Sequence, residues 1–139
     1  MTFRKHDAGA LSRPKGAPKQ DCQVRALATA RGIPYDEAWQ LLYLVQCELR
    51  RCTFALVESL FAGDTRFGVI RTLAFPAVRG QARMTGAVFC ERYRKGRYIL
   101  RMAHHAAAVK EGVLYDTWDS SSKCTYAAWE VTQADRKPE

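Results

Sequence analysis

The spacing of apolar and polar positions changes period near residue 96 of this chain. Before that point it is helical. Asp21 is a favoured N-cap residue, and CQVRALATAR after it is rich in helix formers. Gly32 stops this helix, and Pro34 prevents its continuation. A second helix is predicted from about Tyr35 to Arg51, where Ala38, Leu41, Leu42, Val45 and Leu49 make one apolar stripe. Glu37 near its start and Arg50 and Arg51 at its end suit the helix dipole. TFALVESLFAG, ended by Gly63, reads as a short helix, and FGVIRTLAF as a strand or the lead into a loop. The stretch from Pro76 to Gly80 reads as a turn. MTGAVFCERYR, residues 84–94, reads as a third helix with Thr85 as its cap.

From Gly96 the pattern alternates. Tyr98, Leu100 and Met102 point one way, and Arg97, Ile99 and Arg101 the other. HAAAV is a short apolar strand, KEGV a tight turn with glycine third, and VLYDTWD the returning strand. CTYAAWEV, residues 124–131, reads as the last strand. Helices first and an antiparallel meander afterwards is the pattern of an α+β domain, with N-terminal helices packed on a C-terminal antiparallel sheet. We expect a basic arm over residues 1–19, one domain over 20–132 and a polar tail over 133–139. The arm carries Arg4, Lys5, Arg13, Lys15 and Lys19 against Asp7 alone, and its prolines and glycines argue for an extended or loosely packed segment. For residues 1–12 the expectation is a disordered terminus.

Composition narrows the classes. With 139 residues and 47% hydrophobic positions, the chain is one ordinary globular domain rather than a disordered, collagen-like or purely coiled-coil one. No apolar run approaches the roughly 20 residues of a membrane-spanning helix, and the N-terminus lacks the apolar region of a secretory signal. Twenty-two basic against 14 acidic side chains give a net charge of +8, which attracts nucleic acid, anionic membrane or acidic protein. The five cysteines (22, 47, 52, 90 and 124) are odd in number, so a disulfide framework is not expected and a reducing cytoplasm fits. Their spacing lacks the two close ligand pairs of a structural zinc site.

The chemistry sits in three residues. Cys22 stands at a helix start, where free N–H groups and partial positive charge favour a thiolate and can hold a developing oxyanion. Asp21 next to it opposes this by like charge, unless its carboxylate is engaged in capping. In HAAAVKEGVLYD, a turn at Lys110–Gly112 lays His105 beside Asp116 on paired strands, so that the carboxylate can orient the imidazole. The other ring nitrogen then takes a proton from a thiol, the logic of nucleophile, base and orienter. His104 competes with His105, since the two could be a surface pair, and Asp119 competes with Asp116. Trp118 and His104 are candidate cleft residues. Cys47, Cys52, Cys90 and Cys124 lie within periodic elements and read as structural.

DCQVRALATARGIPYDEAWQLL, followed by GRYILRMAHHAAAVKEGVLYDTWDS, resembles a family of small papain-like cysteine-hydrolase domains of bacteriophage and bacterial genomes. The wider papain-like and bacteriocin-processing peptidases share the order Cys, His, Asp or Asn. The resemblance covers residues 20–47 and 96–120. It implies Cys22 as nucleophile, His105 as general base and Asp116 as orienting residue. It implies Gln20 in the oxyanion hole, although two residues before the cysteine is closer than the family's spacing. It also implies a peptide or protein substrate, an acyl-thioester intermediate and no metal or organic cofactor. A cytoplasmic protein of a bacterial or phage-infected cell fits it. Position 104 departs from the pattern: His stands where glycine is common. Arg25 matches the motif and reads as a structural or anion-pairing residue.

A second class of function also fits. Arginines crowd residues 50–101 with aromatics interleaved, and Arg92, Arg94, Lys95 and Arg97 form a basic patch. That mixture suits phosphate contact and base stacking. The alternative is therefore a papain-like scaffold that binds nucleic acid or a host protein through this face, without turnover.

Overall fold

The structure is a computed structural model that describes residues 3–6, 21–49 and 67–134. The described elements are β1 (Phe3–Lys5), α1 (Cys22–Arg31), α2 (Tyr35–Leu49), β2 (Val69–Ala74), α3 (Gly86–Arg92), β3 (Arg97–Met102), β4 (His105–Lys110), β5 (Val113–Asp116) and β6 (Thr125–Val131). The fold is α+β: the described residues form three helices and a six-stranded sheet of order β1-β5-β4-β3-β6-β2. The ends of the basic arm and polar tail, the segment expected as a short helix after Thr53, Gln20, Cys52 and the Cys47 side chain lie outside the described residues. None of the described helices is long and apolar enough to cross a membrane.

The alternation in β3 divides two cores. Ile99 joins α1 and α2 on one face, with Ala106, Ala108, Trp129 and Val131. Tyr98, Leu100 and Met102 join Phe89 and Cys90 of α3 on the other, with Ala107, Val109, Leu114 and Ala128. Both sheet faces are thus covered. The sheet departs from the expected meander at two places. β6 does not follow β5 but crosses over to pair with β3, and β1 pairs with β5 in parallel. The expected loose arm therefore contributes an edge strand at residues 3–5.

Small side chains let α1 approach the sheet. Its buried positions are Val24, Ala26, Leu27, Ala28, Thr29 and Ala30, and β4 meets it with alanines. Tyr35, Ala38 and Leu42 of α2 cover its other side, which is why α1 lacks a polar face of ordinary width. Gly32, at φ 72, caps α1 in the left-handed region, and its N–H and that of Ile33 both bond Ala28 O. α3 begins where Thr85 Oγ1 accepts from Val88 N at 3.2 Å, the expected cap.

Two turns fix the β3-β4-β5 unit. Lys110 pairs with Val113 across Glu111 (φ 50) and Gly112 (φ 75), the doubly left-handed turn that matches strand twist. Met102 pairs with His105 across Ala103 and His104. His104 has φ 51 and is exposed. Backbone geometry therefore gives a reason for glycine at this position, because glycine adopts positive φ without strain.

His104→Gly should raise the free energy of unfolding by about 0.5–1 kcal/mol, the balance of relieved left-handed strain and added chain entropy. His104→Ala should not. Urea unfolding checks both, and a lower midpoint for the glycine variant would show that the His104 side chain makes contacts that outweigh the strain.

Candidate active site

The site forms where the start of α1 meets the β3–β4 turn and the end of β5. Cys22 is the first residue of α1 and is partly buried against the α1 core. His105 opens β4 and Asp116 closes β5, and both are buried. The register pairs Ala108 with Tyr115, so Asp116 falls opposite Ala107 and reaches His105 diagonally rather than directly across. His105 Nε2 lies 2.6 Å from Asp116 Oδ2. With Nε2 engaged, Nδ1 is the nitrogen left for the Cys22 side chain, which is close enough to the ring to push its pKa up. The structure thus brings Cys22, His105 and Asp116 together.

Asp116 is held by more than the histidine. Ser120 Oγ, fully buried, donates to Oδ2 at 2.8 Å, and Thr117 N donates to Oδ1 at 2.7 Å. Burial alone would raise the Asp116 carboxyl, but the bonds from His105, Ser120 and Thr117 outweigh it and hold the group below its ordinary value. Burial alone would favour neutral His105. Its hydrogen bonds to Asp116 and Cys22 and their negative charge outweigh that and push the ring up to about 9. The site thus favours the protonated form of the ring.

Asp21 corrects the expectation of a side-chain N-cap. Its carboxylate makes no cap bond to the helix. It is buried, with Oδ1 on Arg25 Nη1 and Oδ2 accepting from Tyr35 Oη at 2.7 Å. Arg25 also places Nη2 3.7 Å from Asp116 Oδ1. One guanidinium thereby neutralises the carboxylate beside Cys22 and braces the one behind His105. The first N–H groups of α1 receive no cap bond from the Asp21 side chain.

Trp118 is 46% exposed and sits with its ring 5.0 Å from that of His105, and Lys123 Nζ lies 5.8 Å from the same indole. The loop carrying Trp118 and Ser120 is tied to α3, since Gly86 N and Ala87 N donate to Lys123 O and Ser121 O. Asp119 does not compete for His105: its Oδ1 accepts from Ser121 N at 3.0 Å and from Ser121 Oγ. His104 stands in the exposed turn rather than beside Asp116. Cys90 is buried, and burial followed by the charge of Glu91 pushes its thiol up to about 11. Among the described residues no group of three or more His, Cys, Asp and Glu is placed to hold a metal ion.

The basic patch lies elsewhere. Arg92, Arg94 and Lys95 are exposed at the end of α3 and before β3, the end of β3 away from Met102. Arg97 Nη1 bonds Ala30 O at 3.1 Å, so part of the patch secures the end of α1. Further arginines of the crowded stretch also have internal partners: Arg71 pairs with Glu130, and Arg83 bonds Phe75 O and lies over Tyr126. Tyr35 and Ser120 were not legible as site residues. The spacing of Asp21 and Arg25, one helical turn, was the available signal for the first half of the network.

The His105–Asp116 pair implies a pH window for stability. A histidine raised to about 9 stabilises the fold fully below its ordinary value near 6.5, and that contribution fades as pH rises through 9. A lowered aspartate contributes only above its ordinary value near 4. Asp116→Asn should thus cost on the order of 3 kcal/mol at pH 5–6, and progressively less toward pH 9. Urea unfolding across pH checks this, and a loss independent of pH would contradict it.

Searches of protein-family models, curated proteins and solved structures gave no significant match to this chain.

Proposed function

We propose that the protein is a papain-like cysteine hydrolase, of peptidase or amidase type, with Cys22 as nucleophile, His105 as acid and base and Asp116 as the residue that orients it. The observation that carries this reading is the His105 ring. Its Nε2 lies 2.6 Å from Asp116 Oδ2, and Cys22, at the start of α1, is near enough to raise the pKa of the same ring. Structural histidines seldom need both partners, whereas a nucleophile–base–orienter set does.

In this mechanism the Cys22 thiolate attacks the carbonyl carbon of an amide, forming a C–S bond and a tetrahedral oxyanion. The first N–H groups of α1 stabilise that oxygen. The C–N bond then breaks, the imidazolium of His105 gives its proton to the leaving amine, and a thioester remains on Cys22. A water molecule transfers a proton to the now neutral His105 and attacks the thioester carbonyl. The C–S bond breaks, the acid leaves, and the thiolate–imidazolium pair is restored. Asp116 keeps Nε2 engaged throughout, so that Nδ1 faces the sulfur. Arg25 offsets the Asp21 charge that would oppose a thiolate beside it.

The experiment uses p-nitrophenyl acetate, whose acyl group any such thiolate can accept. A burst of nitrophenolate equal to one acetyl per chain is expected, with mass spectrometry placing the acetyl on Cys22. Cys22→Ala should abolish the burst, and His105→Ala should slow it about 100-fold or more. With an amide substrate, turnover should fall as pH rises through about 9, because the leaving amine needs the His105 proton. Labelling spread over Cys22 and Cys124 alike, or unaffected by His105→Ala, would defeat the proposal.

A further inference from the structure

A second place in the molecule gathers positive charge around a cavity. Lys110 ends β4, five residues from His105 and so about 16 Å along the strand. Across the register it faces Arg97 on β3, while Arg4 on β1 stands opposite Tyr115 on β5. Lys110 Nζ lies 4.5 Å from the centre of the Tyr115 ring, and His6 packs edge-on against the same ring at 5.9 Å. Among the described residues, no carboxylate forms an ion pair with Lys110, Arg97 or Arg4. Burial lowers the Lys110 ammonium, and repulsion from Arg97 and Arg4 lowers it further. Among the described residues, the cluster is therefore charge without an ion-paired carboxylate.

Beside it is a cavity of about 260 Å³, lined by His6, Ala28, Thr29, Gly32, Ile33 and Lys110. The end of a helix ordinarily repels anions through its unsatisfied carbonyls. Here those carbonyls are already engaged: Ala28 O by Gly32 N and Ile33 N, Ala30 O by Arg97, and Arg31 O by Ala134 N. The cavity therefore offers the Lys110 ammonium and the Thr29 hydroxyl over an apolar floor, with His6 in its wall and the opposing dipole offset. A nucleic acid would want an open aromatic face for stacking. Tyr115 offers none, since Lys110 and His6 occupy it.

We propose that the cleft between the last turn of α1 and Lys110 is a binding site for a small anion, a phosphate- or carboxylate-bearing group seated against Lys110. It is separate from the Cys22–His105 site and does not depend on the hydrolase reading.

The test is titration of the full chain with sodium pyrophosphate and, separately, citrate, at constant ionic strength set with sodium chloride. Side-chain NMR resolves the three histidines. Saturable binding should move the His6 resonances and leave those of His104 and His105 in place. Lys110→Gln should weaken binding about tenfold or more, whereas the double variant Arg92→Gln, Arg94→Gln should not. Stronger binding of pyrophosphate assigns the group as phosphate, and stronger binding of citrate as carboxylate. The proposal is overturned if His6 does not move up to about 10 mM of either probe. It is also overturned if Lys110→Gln binds like the wild type, or if an oligonucleotide binds and pyrophosphate fails to displace it. Should Lys110→Gln not fold, the wild-type His6 response and a Thr29→Val variant, expected to bind more weakly, decide the matter.

Discussion

The close packing of α1 on β4 is the constraint on which everything else rests. Ala26, Ala28 and Ala30 of α1 share one buried core with Ala106 and Ala108 of β4, and these small side chains allow the helix close to the strand. Close-packed interiors tolerate little change in volume. A larger side chain at Ala106 or Ala108 would have to be accommodated beneath α1, which carries Cys22 at its first position. The site is therefore set by alanines that take no part in its chemistry. The second layer, in which Tyr35, Ala38 and Leu42 cover α1 from outside, makes that placement rigid on both sides.

Charge within the site follows an alternating order. Tyr35 bonds Asp21, Asp21 holds Arg25, Arg25 leans on Asp116, and Asp116 holds His105. Each buried charge has a neighbour of opposite sign, which is what allows several of them to sit in a small volume. The arrangement also separates two duties for acidic groups at the helix start. Asp21 begins the helix through its backbone, since Arg25 N bonds its carbonyl, while its carboxylate serves the network behind the thiol.

Local chemistry was legible in the sequence, and long-range pairing was not. Gly32 with Pro34, Thr85 before Gly86, and the K-E-G-V turn each act within a few residues, so the end of α1, the start of α3 and the β4–β5 hairpin could be read directly. The hairpin in turn placed His105 near Asp116. The crossover of β6 to β3 and the parallel docking of β1 were hidden, because strand order depends on which faces the helices leave open. The alternation of β3 was read correctly as two faces, but both proved to be core faces, since α3 covers the second. Asp21 was misread because a local preference for capping lost to a buried partner fourteen residues away. Ser120 gave no signal at all: a serine in a polar loop becomes a site residue only when that loop is pinned to the start of α3.

The parallel strand β1 has a consequence for association between molecules. It is three residues long, and it covers the outer edge of β5, where Leu114, Tyr115 and Asp116 carry main-chain groups that would otherwise face solvent. An uncovered sheet edge is a template for a strand from another chain. Phe3, Arg4 and Lys5 close that edge with a segment carrying two positive charges, and like charge discourages a second copy from docking beside it. Loss of this short segment would leave β5, with the Asp116 carboxylate at its end, as the sheet's open margin, and self-association there would bury part of the site in an intermolecular sheet.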